Sequence, residues 1–123
     1  MSTIQNLMHN AMADVDLLSK NDARGDVFVM PRVVDFLLIA PDRAKAELVC
    51  GFVNDFAFGA ASVESESGDH RVLVQIEMPT TQHVLHSVSG FMQCLADLYG
   101  LHYDGWGCVL QNTQGGSAAT ETA

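Results

Sequence analysis

Histidine and cysteine side chains are the first candidates for chemistry in this chain of 123 residues. His83 and His86 lie three positions apart on a predicted helix, so both imidazoles can reach one side of it. Together with Cys94, Cys108 or His102 they would supply nitrogen and sulfur ligands for zinc. Structural zinc sites usually bring their ligands in tight pairs such as C-x2-C, and that spacing is absent here. The pattern therefore favours two solvent-exposed histidines, and we expect no bound metal and no cofactor.

Residues for the common kinds of catalysis are also missing from the sequence. Cys50 and Cys94 lie within or close to the apolar stripes of predicted helices, without the base and electropositive surroundings that a nucleophilic thiol requires. The chain contains no G-x-S-x-G, no H-E-x-x-H and no phosphate-binding glycine loop. We therefore predict that the protein is not an enzyme.

Acidic residues outnumber basic residues by 15 to 6, which gives a formal net charge of −9. This balance disfavours direct binding of nucleic acid, because phosphate contacts need Lys and Arg. It favours a basic protein segment as partner, although acidity that only maintains solubility explains the balance equally well. The best candidates for partner contacts are the acids near a predicted hairpin: Glu64, Glu66, Asp69 and Glu77.

The length and the apolar fraction of 48% fit one globular domain with a single core. No apolar run approaches the roughly 20 residues that a membrane span requires, and the N-terminus lacks the features of a signal peptide. The three cysteines are widely spaced and odd in number, which argues against a disulfide framework. We expect a cytoplasmic protein that does not contact a membrane.

The order of the predicted elements indicates the fold. Residues 1–20 read as an amphipathic helix, and residues 21–111 read as a domain with the order β-α-β-β-α-β. This order is typical of an α+β ferredoxin-like sandwich, in which two helices cover one face of a four-stranded antiparallel sheet. Residues 112–123 are small and polar and are predicted to form a disordered tail. The N-terminal helix or a second subunit would cover the other face of the sheet.

The predicted last strand carries the most distinctive run of the chain, Tyr103-Asp104-Gly105-Trp106-Gly107, which includes the only Trp. A buried Trp needs a partner for its indole N–H, and the flanking glycines permit a bulge or a close backbone approach. Asp104 suits a structural hydrogen bond and a partner contact equally well. We predict that this run locks an edge strand against the core and performs no chemistry.

The same run resembles the last strand of the regulator of ribonuclease E activity B family, which carries a closely similar Y-D-G-W-G run. Two further segments are similar to the family pattern, Pro31-Arg32-x-Val34-Asp35 and Leu98-Tyr99-Gly100-Leu101. The resemblance implies a ferredoxin-like fold for about residues 20 to 111. It also implies a cytoplasmic, non-catalytic protein that binds the basic scaffold region of ribonuclease E and so inhibits RNA processing.

Two hypotheses of different classes remain at this point. The first is an acidic protein-binding regulator similar to the ribonuclease E inhibitors. The second is a small-molecule or metal-sensing domain, since ferredoxin-like domains often pair into dimers with ligand sites between the subunits. In that case His83, His86 and His102 would be the residues of interest. A homodimer is compatible with both hypotheses.

Overall fold

The computed structural model describes residues 2–66, 68–112 and 117–122. The described chain contains three helices and five strands, in this order: α1 (Thr3–Ala23), β1 (Arg32–Ala40), α2 (Arg43–Asp55), β2 (Ala60–Glu66), β3 (Asp69–Met78), α3 (Gln82–Tyr99), β4 (His102–Gln111) and β5 (Ser117–Thr122). The predicted α+β fold with an N-terminal helix is therefore confirmed.

The strands form one antiparallel sheet with the order β2-β3-β1-β4-β5. Its first four strands have the ferredoxin-like arrangement that the sequence predicts. Strands β1 and β3 lie at the centre and pair in register along the whole length of β1, from Arg32 opposite Met78 to Ala40 opposite His70. The sheet therefore provides a rigid platform on which the side chains of neighbouring strands meet at fixed positions.

The C-terminal segment differs from the prediction of a disordered tail. Ser117–Thr122 form β5, which pairs with β4 in a register that places Thr122 opposite Gly107. Hydrogen bonds to the free edge of a strand involve the backbone alone, so a small and polar composition does not reveal such pairing. Strand β4 consequently lies between β1 and β5 and not at an edge. Residues 113–116 and 123 of the predicted tail lie outside the described residues.

A capping residue marks one end of each helix. Ser2 forms a capping box with Gln5, in which the Ser2 hydroxyl accepts from the Gln5 backbone N–H at 3.3 Å. The Asp42 carboxylate accepts from the Lys45 backbone N–H at 2.8 Å and so caps α2. Helix α3 ends at Gly100, whose left-handed φ of 76° suits a residue without a Cβ atom. These local signals fix where each helix begins or ends.

All three helices pack against the same face of the sheet. The fully buried side chains of β1 alternate with partly exposed ones, as expected for a strand with one covered face. The core side chains come from the three helices and the central strands, including Leu17, Leu18, Val49, Val53, Leu85, Met92, Val34, Phe36, Leu38, Val72 and Val74. Because α1 packs beside α3, the N-terminal helix does not cover the other sheet face. That face, which we call the open face, is uncovered by any described residue.

Candidate functional site

A β-bulge in β4 determines how the distinctive run is oriented. The register with β1 shifts here, so that Leu37 lies opposite both Asp104 and Gly105. Gly105 has a φ of 95°, a conformation that residues with a Cβ atom rarely adopt. The extra residue allows Tyr103 and Trp106 to point to the same, helix-covered side although they are three positions apart.

Trp106 connects strand β4 to the N-terminal helix α1 through a hydrogen bond. Its side chain is 1% exposed, and its Nε1–H donates to Asp14 Oδ1 in α1 at 2.8 Å. The second oxygen, Asp14 Oδ2, lies 3.2 Å from His86 Nδ1 in α3. A buried carboxylate is costly unless it is hydrogen-bonded, and both oxygens of this carboxylate have partners. We call this group of Asp14, His86 and Trp106 the tryptophan latch.

Tyr103 adds a second polar contact between β4 and α3. Its hydroxyl lies 3.0 Å from Ser89 Oγ, and both residues are buried. Burial, with a smaller effect of the Asp14 charge, raises the pKa of Tyr103 far above its ordinary value. The phenol therefore stays protonated and acts as a neutral hydrogen-bonding group.

Asp14 is the latch residue that sequence reasoning missed. Its position in the helical pattern places it with the polar residues of α1, yet its exposed fraction is only 3%. The sequence did indicate that a buried acceptor exists, because the indole N–H of the single Trp needs a partner. The partner is 92 positions away in sequence, so spacing could not identify it. Asp104, the nearer acid, is exposed and lies 3.8 Å from His102 Nε2.

The open face has an apolar centre on the two middle strands. Cross-strand pairing places Leu37 opposite Leu73 and Ile39 opposite Arg71, with Val33 near one end. Val33 is 50% exposed, which is unusual for a residue in a central strand. A shallow cavity of about 230 Å3 lies over this centre, between Leu37, Leu73 and the bulge at residues 104–107.

The acids predicted to bind a partner all occupy open-face positions. Glu64 lies opposite Arg71, and Glu77 lies opposite Val33. Asp69 lies opposite Glu66 at the end of the β2–β3 hairpin. The pairing register brings to one face residues that the sequence shows only as scattered acids.

Two further acids belong to the same face. Asp35 accepts a hydrogen bond of 2.9 Å from Gln75 Nε2, and Asp104 lines the shallow cavity beside it. Arg71 is the one Lys or Arg side chain at an open-face position of the described β1 to β4, and it lies 3.8 Å from Asp69. The apolar centre is thus surrounded by an excess of carboxylates.

The residues considered for zinc binding are not brought together. His86 belongs to the latch, whereas His83 and His102 are exposed on different elements. Burial raises the thiol pKa of Cys108, which is typical of a cysteine that fills a core. In the part of the chain that the structure describes, no three His, Cys, Asp or Glu residues are grouped so as to hold a metal ion.

The fold and this surface define a class: a small ferredoxin-like α+β domain with an added N-terminal helix and one uncovered, acidic sheet face. None of its described helices combines the length and apolar character needed to cross a membrane.

The chain belongs to the family described as Regulator of ribonuclease activity B, whose model matches residues 11–108. The match includes α1 from residue 11 and most of β4, so it contains the whole tryptophan latch. Membership implies a protein that regulates a ribonuclease and confirms the family resemblance of the sequence. No individually curated protein matches the chain.

Proposed function

We propose that this protein is a non-catalytic, cytoplasmic regulator of ribonuclease E that binds a basic segment of the enzyme through the open face. Binding to the non-catalytic scaffold region would modulate RNA processing without a chemical step on the regulator. Family membership supports the ribonuclease as target, and the collection of acids on one uncovered sheet face supports the surface.

The charge distribution is the observation that carries this proposal. Most of the basic side chains lie away from the open face, on helices α1 and α2 or in the loop after α1: Lys20, Arg24, Arg43 and Lys45. Arg32 is buried, and its Nη1 group donates to both carboxylate oxygens of Asp26, at 2.8 and 2.9 Å. Among the described Lys and Arg residues, only Arg71 opposes the acids of the open face, so the field there attracts cations.

The open face also suits the shape of a basic side chain. Arg and Lys cover apolar surface with their aliphatic stems while the charged ends remain solvated or paired. On this face a stem can lie over Leu37 and Leu73 while the charged group reaches Asp35 or Asp104. A guanidinium can bind a carboxylate with two parallel hydrogen bonds, so Arg-rich segments fit best.

Calorimetric titration of the full chain with a synthetic Arg-rich segment from the non-catalytic region of ribonuclease E tests the proposal. We expect the double variant Glu64→Gln/Glu77→Gln to weaken binding by about fivefold, because each exposed pair contributes roughly 0.2–1 kcal/mol. Affinity should also fall as the NaCl concentration rises.

The matched control is Asp16→Asn/Asp22→Asn, which removes the same charge from exposed positions of α1. This variant should bind within about twofold of the wild type, since it leaves the open face unchanged. Equal losses in the two variants would mean that affinity follows net charge and would refute the open face as the site. Absence of binding by the wild-type chain would refute the basic segment as partner.

A further inference from the structure

Aromatic side chains of α2, α3 and the loop after α2 form a second surface feature. Phe52 of α2 contacts the rings of Phe56, Phe58 and Tyr99 at centroid distances of 5.5, 5.2 and 6.5 Å. Phe58 also stacks on Phe91 of α3 at 4.8 Å. Phe56 is 68% exposed and Phe58 is 42% exposed, so the cluster reaches the surface.

Two exposed leucines belong to the helices that carry these rings. Leu48 on α2 is 56% exposed and Leu98 on α3 is 81% exposed. We call the surface formed by Leu48, Phe56, Phe58, Leu98 and Tyr99 the aromatic patch. Grouped exposed apolar side chains of this kind are typical of an interface, whereas single exposed ones need no explanation.

The backbone at the patch is held in an unfavourable conformation. Ala57, between the two exposed phenylalanines, has a φ of 58° and is the one described non-glycine residue with a positive φ. A left-handed conformation costs a residue with a Cβ atom roughly 1–2 kcal/mol. This left-handed residue is part of the C-terminal cap of α2, in which the Phe58 backbone N–H donates to the Val53 carbonyl at 3.0 Å.

Gly51 lies near the middle of α2, between Leu48 and Phe52, and nothing in the described chain requires a glycine there. A Cβ atom added at this position would meet no heavy atom within 4 Å. Glycine inside a helix is less favourable than alanine by about 0.5–1 kcal/mol. Because Gly51 has no side chain, the helix surface at this position is flat, and a second backbone can approach it closely.

The charges along α2 are arranged so that two copies of the helix complement each other. Arg43 at the N-terminal end is already paired with Glu47 of the same helix at 2.8 Å. This leaves Lys45 near that end and Asp55 at the C-terminal end, and both are exposed. In an antiparallel pair centred near Gly51, Lys45 of each copy lies next to Asp55 of the other. Within one helix these two residues are about 15 Å apart along the axis and do not pair.

We propose that the aromatic patch binds a second copy of this chain, with the two α2 helices antiparallel about a twofold axis near Gly51. An interface of this symmetry must be self-complementary, which the ends of α2 satisfy. The open face does not satisfy it, because two copies would bring their acids together. The dimer therefore leaves both open faces free for a basic partner.

Analytical ultracentrifugation of the full chain over a range of concentrations tests this proposal through a charge exchange. The single variants Lys45→Glu and Asp55→Lys should each weaken dimerisation by about tenfold, because the symmetry replaces two attractive contacts with repulsive ones. The double variant Lys45→Glu/Asp55→Lys should return to within about twofold of wild type. Each change places a favourable charge on the helix dipole, so folding should be retained.

Further variants separate dimerisation from folding. Gly51→Gln should abolish the dimer without lowering the melting temperature of the monomer, because its side chain enters open space in the single chain. Exchange of exposed charges on α1, in Lys20→Glu/Asp16→Lys, should leave the dimer unchanged. A wild-type chain that stays monomeric into the millimolar range would overturn the proposal, as would failure of the double variant to recover dimerisation.

Discussion

The two sides of β4 differ in what they do with the same five-residue run. On the helix-covered side, Tyr103 and Trp106 are buried and hydrogen-bonded to Ser89 and Asp14. On the open side, Asp104 is exposed beside the apolar centre of the sheet. One side makes contacts whose loss should strongly destabilise the protein, and the other presents charge whose loss the fold should tolerate. If the proposed function holds, stability and partner binding are carried by opposite faces of one sheet.

Removal of the latch tryptophan should produce the largest effect on stability. Trp106→Ala is expected to lower the free energy of unfolding by about 3–5 kcal/mol, since it creates a cavity and leaves the Asp14 carboxylate short of a donor. Urea denaturation measures this change. The open-face variant Glu64→Gln/Glu77→Gln should shift the same free energy by less than about 0.5 kcal/mol. Comparable losses in the two variants would break the division between the faces.

Loss of the latch acid should have the next largest effect. Asp14→Ala is expected to cost about 2 kcal/mol, because the buried indole N–H of Trp106 loses its acceptor. The double variant Asp14→Ala/Trp106→Phe should lower the free energy of unfolding by less than the sum of the losses in Asp14→Ala and Trp106→Phe. Each of these single changes removes the same hydrogen bond. Strict additivity in chemical denaturation would show that the two residues are not coupled.

The bulge glycine gives a smaller effect that can be compared with a glycine elsewhere. Gly105→Ala should destabilise the protein by about 1 kcal/mol, because φ at this position is 95°. Gly51→Ala should instead stabilise the monomer by about 0.5–1 kcal/mol, since the added Cβ meets open space in α2. Melting temperatures of the two variants measured at low concentration should therefore move in opposite directions. An unchanged or raised melting temperature for Gly105→Ala would contradict the role assigned to the bulge.

The smallest effect concerns the junction between the start of α1 and the end of α3. A hydrogen bond from Thr3, followed by those from Gln93 and Asn6, lowers the pKa of Asp97 below its ordinary value. Because the folded-state pKa is the lower one, the stabilising contribution is present above about pH 4 and is lost as the pH falls through the folded value.

Unfolding of wild type and Asp97→Asn between neutral pH and pH 3 measures this contribution. The wild type should be the more stable of the two at neutral pH, and the difference should disappear in acid. A difference that stays constant over this range would mean that the Asp97 charge does not contribute.

Much of the fold was predictable because its signals are local. Alternation in β3 and helical spacing in α3 gave the element order, and Gly100 marked the end of α3. Strand β5 was not predicted, because its pairing with β4 uses backbone groups and does not depend on an apolar composition. Its side chains gave no apolar pattern to read.

The site was predictable only in part, and for a different physical reason. The acids Glu64, Asp69 and Glu77 could be named as candidates, yet their common face depends on the pairing of β3 with β1 and β2. The latch depends on a contact between residues in the first helix and the fourth strand. Long-range contacts of this kind are set by the assembled fold and not by the spacing of residues in the sequence.

Nuclear magnetic resonance of the isotope-labelled chain, titrated with an Arg-rich segment of ribonuclease E, tests whether the open face binds the partner. We predict that the backbone amide signals that shift belong to open-face positions such as Asp35, Leu73 and Asp104. The indole signal of Trp106 should remain at its hydrogen-bonded position, because the latch lies on the covered side. Shifts confined to α1, α2 or α3, with the sheet unchanged, would contradict the account.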